Sequence, residues 1–65
     1  MKVRPRVGDR VTIPWGFREV TGEVFRVEGR GDMTWVTVEV YLDGDDESTL
    51  ATMLLRDVQA APAAA

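Results

Sequence analysis

Apolar residues recur along this chain with a period of two, the spacing of half-buried strands and not of helices. In Val7-Gly8-Asp9-Arg10-Val11-Thr12-Ile13, residues Val7, Val11 and Ile13 share one parity, so a first strand is expected with these three on the buried face. Pro14 is expected to end it, because proline offers no amide hydrogen to a ladder. Trp15-Gly16-Phe17 then reads as a loop, with Gly16 free to take a positive φ. The second strand is expected over Glu19–Val27. Within it Val20 and Val24 share a parity and Val27 has the other, which predicts a bulge or strong coiling near Val24 and Phe25. Gly22, inside the same strand, marks a kink or a close backbone approach.

Glu28-Gly29-Arg30-Gly31-Asp32 has the composition of a turn. The run that follows, Thr34 to Leu42, is the clearest strand in the chain. Its alternation predicts Val36, Val38, Val40 and Leu42 in the core and Trp35, Thr37, Glu39 and Tyr41 facing outward. Asp43-Gly44-Asp45-Asp46 reads as a hairpin turn. A fourth strand is expected over Glu47–Met53, with Leu50 as its main core residue. Leu54-Leu55-Arg56-Asp57-Val58 lacks strict alternation and fits a single helical turn before a short last strand. Residues 60–65 are alanine interrupted by Pro62, too short to nucleate a helix, and are expected to be a disordered tail. The expected organisation is therefore one all-β domain over residues 1–59 followed by that tail.

Composition narrows the chemistry. The chain has 65 residues, enough for one small domain, and contains neither cysteine nor histidine. Disulfides and thiolate-bound metals are therefore excluded. A reducing, cytoplasmic setting is expected. No apolar run approaches the ~18 residues of a membrane span, and Met1-Lys2-Val3-Arg4 is not followed by the apolar stretch of a signal peptide, so no membrane partner is expected. Net charge is −3, but unevenly spread. Up to Arg30 there are 7 basic and 4 acidic residues, and beyond it 1 basic and 7 acidic. A basic and an acidic face would follow if the two halves occupy different surfaces.

Val7-Gly8-Asp9-Arg10-Val11, then Gly22-Glu23-Val24, then a long valine strand ending in Asp43-Gly44, resembles bacterial SH3-like barrels over roughly residues 5–59. The relatives include Tudor-like and KOW-like modules and small SH3-like enzyme subunits. The resemblance implies a small SH3-like barrel of about five strands, in which the Gly8-Asp9 pair opens the first strand and Leu54–Val58 supplies the helical turn before the last. These motifs mark the barrel and not an activity. Plasmid-type dihydrofolate reductases of this fold carry a Val-Gln-Ile-Tyr motif. Here Val58-Gln59 is followed by alanines, and that activity is not expected.

Catalysis has little to work with. The only serine is Ser48, beside Asp46 and Glu47, and the only lysine is Lys2 near the start of the chain. No catalytic residue, cofactor or metal is expected. Asp43, Asp45, Asp46 and Glu47 crowd one turn, but without the ligand alternation and terminal glutamate of an EF-hand loop, and they read as an acidic hairpin tip. Arg30-Gly31-Asp32 reads as a turn. The informative side chains are the aromatics and the arginines between them. Trp15, Phe17, Trp35 and Tyr41, with Arg18 and Arg26, are the expected binding residues, unless the aromatics merely cover the open end of the barrel. The expectation is a non-enzymatic module that binds a protein partner or itself through this surface. A small nucleic-acid-binding barrel, using Arg10, Arg18, Arg26 and Arg30, is the alternative, and a non-catalytic subunit of a larger enzyme a second one.

Overall fold

A computed structural model describes residues 4–42 and 46–61. Its five strands are β1 (Arg10–Trp15), β2 (Arg18–Glu28), β3 (Trp35–Val40), β4 (Thr49–Leu54) and β5 (Gln59–Ala60). All pair antiparallel in one sheet of order β4-β3-β2-β1-β5. The first four strands make a meander, and the chain then returns so that β5 lies on the far side of β1. The domain is all-β, as expected. The helical turn before the last strand is a 3-10 turn over Leu55–Asp57, and a second 3-10 turn, Gly31–Met33, joins β2 to β3. No helix among the described residues is long and apolar enough to cross a membrane.

The period of two decides what enters the core. Val11, Ile13, Val24, Val36, Val38, Val40 and Val58 are buried, and each is β-branched, the shape a pleated surface packs best. Trp15, Val20, Val27, Leu42, Ala51, Met53 and Leu55 pack around them, half-buried. Each fully buried valine contributes about 1.5 kcal/mol or more to stability, and the row on β3 is flanked on both sides. Val38 lies between Val24 on β2 and Ala51 on β4, and Val36 between Val27 and Met53.

β2 is the longest strand because it serves two neighbours. Its first half pairs with β1 and its second with β3, with Glu23 opposite both Arg10 and Glu39. The register shifts between Val24 and Arg26, leaving Phe25 as the extra residue of a bulge. That shift lets Val24 and Val27, of opposite parity, both face the interior. Gly22 sits where β3 comes closest. A Cβ there would lie 2.6 Å from Val40 Cγ1 and 2.7 Å from Val38 Cγ1, and would collide with the Glu39 carbonyl. Both features are those expected from the valine parities and the position of the glycine. The β1–β2 turn is Gly16-Phe17, with Gly16 at φ 62° and Phe17 at negative φ, the signs of a type II′ hairpin turn.

Four local expectations are corrected. Pro14 does not end β1; it lies within the strand, opposite Glu19. β5 pairs only with Val11 and Thr12, so the side of Pro14 away from β2 has no strand to supply with an amide hydrogen. Val7 is not a core residue. Arg6 N–H donates to Asp9 Oδ2 (2.9 Å) and Asp9 N–H to the Arg6 carbonyl (3.0 Å), which turns the chain at Val7-Gly8 and leaves Val7 exposed. Leu50 is not a core residue either. It stands opposite Glu39 on the outer parity, so Ala51 and Met53 point inward in its place. Finally, Ala60 pairs with Val11 and Ala61 N–H donates to the Arg10 carbonyl (3.3 Å), so ordered structure passes the expected start of the tail at residue 60. Residues 62–65 lie outside the described residues, as do Asp43, Gly44 and Asp45 of the expected hairpin turn.

Two substitutions test this packing. Val38→Asp puts an unpaired charge in the interior, a cost of several kcal/mol against a total stability of about 5–15 kcal/mol. Circular dichroism is expected to show no cooperative thermal transition, and a melt at the parent temperature would contradict the assigned parity. Gly22→Ala forces overpacking worth about 1–3 kcal/mol, and Tm is expected to fall by at least about 5 °C. An unchanged Tm would mean that β2 and β3 are not in close approach at this point.

Candidate binding face

β2, β3 and β4 present an outer face built of three cross-strand rows. Glu28, Trp35 and Leu54 form the first, Arg26, Thr37 and Thr52 the second, and Glu23, Glu39 and Leu50 the third. Phe25, extruded by the bulge, sits beside the second row. Trp35, Phe25 and Leu50 are 42, 49 and 50% exposed, and Leu54 is half-buried. Large apolar side chains are thus held around a polar centre by three paired strands.

That centre departs from expectation. Thr37 is buried, although it shares the parity of the outward residues. It occupies the middle of the middle row, among longer side chains, and its hydroxyl lies 2.8 Å from Thr52 Oγ1 in a hydrogen bond that satisfies both groups. Buried polar atoms satisfied in this way carry little penalty. At the rim, Ser48 Oγ donates to Glu39 Oε2 (2.9 Å), and Arg26 Nε contacts Glu28 Oε1 at 3.1 Å. The ion pair is exposed and contributes little to stability, but it places a carboxylate on the one arginine of the face.

The six residues expected to bind fall into separate groups. Trp15 ends β1 on the inner parity and packs half-buried against the core, so it covers an end of the interior. Phe17 is fully exposed at the tip of the β1–β2 turn, and Arg18 pairs with Trp15 at its base. Trp35 and Arg26 belong to the outer face of β2–β4. Tyr41 follows β3, exposed, in the wall of a shallow cleft of about 350 Å³ whose other sides are Arg10, Thr21, Gly22, Glu23 and Glu39. A neighbouring hollow of about 240 Å³ brings Arg18, Glu19 and Leu42 to the other side of Tyr41. Trp35 and Tyr41 therefore share a parity but not a site.

The arginines do not form one stripe. Arg10 stands opposite Glu23, Arg18 precedes Glu19 at the start of β2, Arg26 contacts Glu28 near its end, and Arg30 lies exposed before the second 3-10 turn. Each of the three on strands has a carboxylate beside it, so these arginines do not make a basic face.

Phe25 joins this face through the bulge although it is not among the six residues expected to bind, and Leu50 and Leu54 are further residues of the face that sequence reasoning missed. Their spacing carried the signal, because residues four apart in a strand share a face, and both are opposite in parity to Ala51 and Met53. Neither a scan against protein-family models nor searches of curated proteins and solved structures find a match to this chain.

Proposed function

We propose that this chain is a non-enzymatic, SH3-like interaction module that docks protein through the outer face of β2, β3 and β4. The barrel reading is supported by the order β4-β3-β2-β1-β5, the long bulged second strand and the 3-10 turn leading into β5. One observation carries the functional reading. Phe25, Trp35 and Leu50 stand about half-exposed on one face, while the hydrophobic core cluster is made of valine and isoleucine. Exposed apolar side chains set around Thr37 and Thr52 and beside Arg26, Glu28 and Glu39 have the composition of a contact surface, with an aromatic anchor among polar groups. Trp35 stands between paired Glu28 and Leu54 in the first row of the face.

Charge favours a protein over a nucleic acid. The face carries Glu23, Glu28 and Glu39 against Arg26, and phosphate binding requires clustered positive charge. A reducing, cytoplasmic setting fits a chain without cysteine.

The test is the double substitution Phe25→Ala with Trp35→Ala, compared with Tyr41→Ala, by pull-down from native lysate and by binding to single-stranded oligonucleotide. Truncated anchors typically lose ~2 kcal/mol or more, so the double variant is expected to release proteins that the folded parent and Tyr41→Ala retain. If it stays folded and keeps the same partners, the face is structural and the reading fails. If salt-sensitive oligonucleotide binding is lost instead, the domain is a nucleic-acid-binding barrel.

A further inference from the structure

β4 ends the sheet, and among the described residues it pairs with β3 alone. The hydrogen bonds show which of its backbone groups are left over. Leu55 N–H donates to the Thr34 carbonyl at 2.9 Å, which continues the β3–β4 ladder one step beyond Trp35 and Leu54. In an antiparallel ladder a residue's N–H and C=O point to the same side, and the side alternates along the strand. Counting back from Leu55, the groups of Met53, Ala51 and Thr49 turn toward β3. Those of Leu54, Thr52 and Leu50 turn toward the open edge. The same three residues carry the outward side chains of the strand, opposite Trp35, Thr37 and Glu39.

This edge lacks the usual protection. Native edges are blunted by charge, proline, bulges or shortness. At the other end of the sheet β5 is only 2 residues long, and β1 beside it carries Arg10 and Pro14. β4 reads Thr-Leu-Ala-Thr-Met-Leu over its 6 residues, with no charge, proline or glycine. It is also self-complementary, because Leu50 and Leu54 are placed symmetrically about Thr52.

We propose that β4 pairs antiparallel with β4 of a second copy of this chain, about a twofold axis perpendicular to the sheet and midway between the two Thr52 residues. In this register Thr52 meets its own counterpart and Leu50 meets Leu54 of the other copy. All three edge-facing residues then form hydrogen-bonded pairs, about six hydrogen bonds in total at two per pair. Centring the axis on Ala51 instead would set leucine against threonine and leave Leu54 outside the three-residue match. On the outer face the cross-copy leucine pairs continue the rows of Trp35 and Glu39, so apolar surface is covered. Along each row the two leucines stand between Glu39 of one copy and Trp35 of the other, so no like charges become direct cross-strand neighbours. This inference deepens the interaction reading by naming a partner, a second copy, and it uses the strand edge beside the proposed face.

Sedimentation over a concentration series and amide hydrogen exchange test it together. The parent is expected to approach twice its 7.2 kDa chain mass on concentration. Under those conditions the amides of Leu50, Thr52 and Leu54 are expected to gain protection approaching that of Ala51 and Met53. Thr52→Pro removes an edge amide that β3 does not use, and Leu50→Lys charges the edge. Each is expected to weaken dimerisation at least tenfold. If Thr52→Pro fails to fold, Leu50→Lys and the parent's exchange pattern still decide. A parent that stays monomeric to about millimolar concentration, or a dimer in which Leu50, Thr52 and Leu54 exchange freely, overturns the proposal. The face reading is judged separately, because Phe25→Ala with Trp35→Ala leaves the edge amides in place and is expected to keep the dimer while losing other protein partners.

Discussion

The inward row Val36, Val38 and Val40 on β3 is what the other strands are built against. It is buried because backbone pairs flank β3 on both sides, and each flanking strand must then turn compatible side chains toward it. β4 does so with Ala51 and Met53. β2 does so with Val24 and Val27, whose parities would conflict in a regular strand. The bulge at Phe25 removes that conflict, and its cost is one residue left outside the ladder. Gly22 answers the same demand from the backbone side. Where β2 nears the Glu39 carbonyl and the Val38 and Val40 methyls, only a hydrogen fits.

A small interior then dictates the surface. The space enclosed by these strands is filled by branched aliphatic side chains, and a tryptophan or phenylalanine would not fit among them without displacing backbone. Trp15 therefore covers an end of the core, Phe17 sits on a turn, and Phe25, Trp35 and Leu50 stand on the outer face. The apolar character of that face follows from core geometry combined with strand parity. Its polar centre follows from the same parity, since Thr37 and Thr52 are directly opposed and bond to each other. The result is a surface with separated apolar anchors in place of one continuous greasy patch.

The sheet is also asymmetric in how its ends are treated. β5 is short, and β1 beside it carries a proline facing away from β2, so that end offers little backbone to a visitor. At the other end β4 presents three residues whose outward side chains and edge-directed backbone groups coincide. Contact area and hydrogen-bonding capacity are thus available together, on the strand adjacent to Trp35.

Local sequence determined what depends on neighbours a few residues away. The strands follow from a period of two, the bulge from the parities of Val24 and Val27, the close approach from Gly22, and the helical turn from the loss of alternation after Leu54. Each is demanded by the residue type at that position, whatever else the chain does. Tertiary structure decided what depends on register. Whether Leu50 or Ala51 faces the core is settled by which of them lies opposite Val38, and whether Thr37 is wet or buried by what lies on either side of it. Pro14 is tolerated inside β1 because β5 is too short to reach it. Trp35 and Tyr41 share a parity in one run of sequence, yet pairing with Leu54 takes one to the outer face and the end of β3 at Val40 leaves the other in the wall of the cleft. A one-residue change of register would exchange all these faces while leaving the local pattern untouched, which is why only long-range pairing could choose among them.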